Sequence, residues 1–148
     1  MRGAPDLGGS SPGQPRVTLQ FHPDWPHQGR LVIESMAADL AYRSQFETGV
    51  SNGGLTAFVG GDRWRWESRL FGGRYDEGPP SARPVYGAWN RRLDPYGGAV
   101  RFGSAYVRLR PEVTERSTFC FPGSVLDPED VGGPELLPRL AGLADASG

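Results

Sequence analysis

The sequence predicts an α+β fold, with a small mixed or antiparallel sheet, one or two packed helices and irregular loops. Three observations predict it. Short stretches near residues 17–21, 102–110 and 117–121 alternate apolar with polar side chains, which is the period of a strand. Between the first two, Val32, Met36 and Leu40 recur every fourth residue, and Ile33 and Ala37 widen that stripe to a helical face. Strands and helices do not follow one another in a βαβ rhythm, so a doubly wound parallel sheet is not indicated.

In chain order, residues 1–15 hold Gly, Ser and Pro without an apolar run, and read as a disordered leader rather than a signal peptide. Val17, Leu19 and Phe21 alternate with Thr18, Gln20 and His22 as a half-buried strand that ends at Pro23. A turn, His22-Pro23-Asp24-Trp25-Pro26, leads into the helix. From Tyr42 to Glu47 the pattern alternates again, with Tyr42, Ser44 and Phe46 on one face, and it runs into a Gly- and Asn-rich loop. Asp62 can cap a short helix to Phe71 that Gly72-Gly73 ends. Trp64 and Trp66, two apart, leave a strand as the rival reading, but Trp66 and Leu70 align at helical spacing.

Residues 76–98 read as loop, interrupted by Pro79, Pro80, Pro84 and Pro95. Strands follow at Phe102–Arg110 and Ser117–Phe121. Beyond Pro122 the pattern decays into turns, and Pro138 interrupts a weak helix from Glu135. The expected organisation is a single domain over 16–121 and a loosely ordered tail over 122–148.

Composition narrows the functions. The net charge of −1 carries no polybasic footprint, so no nucleic-acid partner is expected. All 16 basic residues are arginine, which reflects a GC-rich coding sequence rather than a phosphate site. No run approaches the roughly 18 apolar residues of a membrane span, no membrane partner is expected, and the cytoplasm is the default compartment. Cys120 is the only cysteine and sits in an apolar run, as a buried structural thiol would.

Three stretches hold chemistry-bearing residues. In Phe21-His22-Pro23-Asp24 a proline-fixed turn presents an imidazole at a strand end, suiting a general base or a ligand-orienting group. The plainer alternative has Asp24 capping the helix and His22 bonding a loop carbonyl. A metal set of His22, Asp24 and His27 is disfavoured, because the intervening prolines destroy helical ligand spacing. The second stretch, Tyr42-Arg43-Ser44-Gln45-Phe46-Glu47-Thr48-Gly49 with Ser51-Asn52-Gly53-Gly54, joins directional hydrogen-bonding side chains to a loop rich in backbone N–H groups. Such a loop can cradle phosphate or ribose, or can be a plain turn. No Gly-x-Gly-x-x-Gly pattern and no Walker lysine accompanies it. The third, Arg63-Trp64-Arg65-Trp66, reads as core tryptophans with snorkelling arginines rather than a base-stacking surface.

Val17–Asp24, Tyr42–Gly54, Arg83-Pro84-Val85-Tyr86-Gly87-Ala88, Arg101-Phe102-Gly103-Ser104 and Arg110-Pro111-Glu112-Val113 occur in this order. Through them the chain resembles the actinobacterial domain-of-unknown-function family 3626, over about Arg16 to Asp127. Members of that family continue past this chain's end, so the resemblance implies a copy shortened at its C-terminal side. A looser likeness is to the ADP-ribosyltransferase class, which places His or Arg on a first strand, Ser on a second and a glutamate on a later one. His22 and Ser44 match the first two places, and the later glutamate has no counterpart. The likeness implies an NAD-dependent ADP-ribosyltransferase-like or nucleotide-handling domain that is incomplete and without turnover by itself. Its catalytic candidates are His22, Ser44 and Glu47, its cofactor-binding candidates Arg43, Gln45, Ser51, Asn52 and Gly53, and its cofactor NAD. The alternative is a noncatalytic remnant or binding module whose polar loop is structural.

Overall fold

The computed structural model describes residues 14–49 and 56–148. Strand β1 (Val17–Phe21) is the centre of a three-stranded antiparallel sheet. A two-residue hairpin follows, β2 (Pro26–His27) and β3 (Arg30–Leu31), then helices α1 (Val32–Asp39), α2 (Gln45–Thr48) and α3 (Asp62–Leu70). The remaining elements are β4 (Ala88–Trp89), β5 (Ala105–Arg108), α4 (Pro111–Thr114), β6 (Phe119–Phe121), β7 (Asp130–Gly132) and α5 (Leu137–Ala146). The architecture is α+β, as the sequence predicts, with its sheets small and antiparallel.

β1 lies between β4 and β5, with Val17 opposite Trp89 and Leu19 opposite Val107. Alternation suggests a strand with one wet face, yet all five residues are buried. The loop from Asn90 to Gly103 covers the polar face and meets its side chains. Gly98 N donates to Thr18 Oγ1 at 2.9 Å, and Gln20 Nε2 donates to the Tyr96 and Gly103 carbonyls. Gly103, at φ 147°, lies so close to the Phe21 backbone that a Cβ could not fit.

α1 forms where the four-residue period indicates, but it buries no residue. Leu40 is 90% exposed in a left-handed C-cap, and Ile33 faces outward too. The apolar stripe serves a cleft instead of the core, through half-buried Val32 and Met36. Extended backbone does not persist from Tyr42 to Glu47. Ser44 and Glu47 have the S-x-x-E spacing of a capping box, which satisfies two orphan amides and turns the chain into α2. α3 resolves the helix-or-strand alternative in favour of the helix, and buries Arg63, Trp66 and Glu67 on one side. Arg63 does not snorkel: its guanidinium lies within the fold, 4.6 Å from the Trp66 ring centroid and 5.1 Å from that of Tyr86.

The expectation of a loosely ordered tail is corrected by the core itself. Val17, Phe119, Leu137 and Leu140 form one buried cluster, with Trp89, Leu109, Phe121 and Leu136 packed around it. β7 pairs with β6, setting Cys120 opposite Val131, and α5 lies across β6. Pro138 does not break α5, because it occupies the first turn, where its missing N–H costs nothing. β7 and α5 thus pack into the same core as β1 and β6. Cys120 is half-buried, and burial pushes its thiol up from the ordinary 9.0.

Candidate functional site

Where β1 ends, the chain builds a cleft of about 640 Å³ between the β2–β3 hairpin, α1 and α2. The hairpin turns on Gln28 (φ 50°) and Gly29 (φ 77°), the positive-φ pair that a two-residue turn requires. It is tied to α1 through Val32 N donating to the Trp25 carbonyl at 2.9 Å and Ile33 N to the Pro23 carbonyl at 3.1 Å. His22 follows β1 directly, and its ring stacks on Trp25 with centroids 3.8 Å apart and planes within 9°. Tyr42 fastens the far wall to the sheet: its hydroxyl donates to the Gln20 carbonyl at 2.8 Å, and burial pushes the phenol up.

The polar residues of the far wall are mostly engaged with one another. Arg43 donates from Nε to Asp39 Oδ2 at 2.9 Å and from Nη1 to Glu47 Oε1 at 3.2 Å. The hydrogen bond from Arg43 holds the Asp39 carboxyl below its usual range and raises the guanidinium in turn. Glu47 Oε2 accepts from Ser44 N at 2.9 Å, completing the cap. Gln45 lines the cleft, and its Oε1 is buried without a hydrogen-bond partner among the described residues.

Of the residues singled out from sequence, His22, Arg43, Gln45 and Glu47 line this one cleft. Ser44 does not. It is 2% exposed, accepts from Glu47 N and donates to the Pro80 carbonyl at 2.7 Å, so its hydroxyl is spent on structure. Ser51, Asn52 and Gly53 lie outside the described residues. Among the described residues no three His, Cys, Asp or Glu side chains gather as metal ligands. Sequence reasoning passed over Trp25, Asp39 and Arg30, which also line the cleft. The Asp39–Arg43 spacing of four was a legible signal. Trp25 gave only the hint of an aromatic held between two prolines.

The arrangement offers a flat imidazole–indole pair and a cation fixed at the rim, in a volume within the roughly 300–1,000 Å³ usual for small-molecule sites. No helix among the described residues is long and apolar enough to cross a membrane. No curated protein and no solved structure matches the chain. A family does, over residues 16–143, described as Protein of unknown function (DUF3626). The match runs past Asp127 and takes in β7 and most of α5. The chain belongs to the DUF3626 family.

Proposed function

We propose that this cleft binds a nucleotide, with NAD as the ligand, and that the domain handles it in the manner of the ADP-ribosyltransferase class. The observation that carries the reading is the convergence of His22, Arg43, Gln45 and Glu47 on one cleft beside an exposed-edge aromatic, Trp25. In this reading the His22–Trp25 pair takes the planar base. His22 offers a ring nitrogen to the ribose, and Gln45 lines the cleft beside it. Arg30 supplies positive charge toward a diphosphate, since Arg43 is already paired with Asp39 and Glu47.

A second reading, a binding module without catalysis, is favoured by a specific observation. Ser44 and Glu47 complete a capping box, so neither is presented as a free reacting group. In that reading the polar loop is structural, and the two readings differ on turnover.

Thermal unfolding of the full chain with NAD, ADP-ribose and nicotinamide tests the ligand. At one hundred times its dissociation constant a ligand stabilises the fold by about 2.7 kcal/mol. No shift up to millimolar concentrations of all three removes the nucleotide reading. Release of nicotinamide by the full chain, measured against the Glu47→Gln variant, separates turnover from binding.

A further inference from the structure

α2 has four residues, too few for a helix to persist by its own hydrogen bonds. It is held from outside, at two points. Ser44 Oγ donates to the carbonyl of Pro80, where a 3-10 turn (Pro80–Ala82) begins. Just past that turn, the Arg83 guanidinium lies 4.3 Å from the Phe46 ring centroid. Arg83 is itself fixed: its Nη1 donates to Glu67 Oε2 of α3 at 3.0 Å, and the two side chains are 3% and 1% exposed.

A buried ion pair adds little net stability over an apolar pair of the same volume, so its place is accounted for by direction. The guanidinium is aimed at Phe46 on one face of α2. Gln45, Glu47 and Thr48 of the same turn line the cleft. What sets the depth of those cleft residues is therefore the contact train from Glu67 through Arg83 to Phe46, together with the Ser44–Pro80 bond.

We infer that Ser44, Phe46 and Arg83 are positioning residues that clamp α2 onto the Pro80–Arg83 turn, itself anchored to α3 through Glu67, so that Gln45 and Glu47 keep their place in the cleft wall. The consequence for binding rests on the nucleotide reading above; the clamp itself does not.

Amide hydrogen exchange on the full chain, with parallel NAD titrations, tests this in Ser44→Ala, Ser44→Thr and Phe46→Leu. All three substitutions leave the Glu67–Arg83 pair intact. The expected result is exchange at Glu47, Thr48 and Gly49 faster by about fivefold in the Ala and Leu variants, the scale of a lost cap. Exchange in β1 and α3 stays unchanged, and Ser44→Thr, which keeps a hydroxyl, restores native rates. NAD affinity falls by a similar factor in the first two variants and recovers in the third. Unchanged α2 exchange, or an equal rise throughout β1, overturns the clamp. Native affinity despite faster α2 exchange overturns the positioning role. Absence of NAD binding by the native chain overturns the nucleotide reading instead, and the exchange rates still decide the clamp.

Discussion

Ser44 shows how one hydroxyl can be consumed by architecture. It accepts an α2 amide and donates to Pro80, leaving nothing for a substrate. His22 differs: it is half-buried, and its ring contact is with Trp25, a residue the core does not use. His22→Ala is therefore expected to abolish the stabilisation by NAD while changing the unfolding free energy of the free protein by less than about 1 kcal/mol. Paired denaturant curves with and without NAD measure both quantities, and a variant that fails to fold would make His22 a structural residue. Glu67 is expected to behave in the opposite way. Glu67→Gln leaves Arg83 charged and buried without its carboxylate, which costs about 3–5 kcal/mol. Circular-dichroism melts should show it, and a melting curve like the native one would contradict the assigned pairing.

Among the elements, β1 was legible because Val17, Leu19 and Phe21 alternate, and α1 because Val32 and Met36 keep helical spacing. What they pack against was not legible. Thr18 and Gln20 look solvent-facing until the Asn90–Gly103 loop covers them, and that cover is a non-local fact. α2 is masked for a different reason: Ser44 to Glu47 spells a capping box, but the alternation of Tyr42, Ser44 and Phe46 is also the period of a strand. The β2–β3 hairpin turns on Gln28-Gly29 without apolar alternation around it, so little in the sequence announces it. Of the cleft, the residues along Tyr42–Glu47 were readable as a polar cluster. The distance that brings His22 to them depends on tertiary packing and was not. α5 carries the sharpest element-level expectation. Leu140 is 3% exposed in the core, so Leu140→Ala should destabilise the whole domain by about 2–5 kcal/mol. A loss near zero in equilibrium unfolding would mean that α5 does not dock.

At the scale of the molecule, the family match over residues 16–143 and the shared core of Val17, Phe119, Leu137 and Leu140 describe the same unit. Limited proteolysis should accordingly leave Asp130–Ala146 attached and resistant along with β1, and early release of that stretch would contradict the packing. The pH response follows from buried acids that are held neutral. Tyr42 and Tyr86 both rest above the ordinary 10.0, chiefly through burial and, for Tyr86, the neighbouring Glu67 carboxylate, and Cys120 rests above 9.0. A folded-state value raised above the unfolded one contributes stability that is complete below the unfolded value and is lost as pH climbs toward the folded one. Stability should thus hold through neutral pH and fall above about pH 9 to 10, with Tyr86→Phe flattening the fall. An alkaline plateau would contradict that assignment.

The central claim is that the cleft at the end of β1 takes a nucleotide, and a crystal structure of the full chain grown with millimolar NAD tests it most directly. The expected result is a planar ring of the ligand against the His22–Trp25 pair, with the rest of the ligand in the cleft beside Gln45. An empty cleft in such crystals, or NAD seated away from His22, Trp25 and Gln45, would contradict the account.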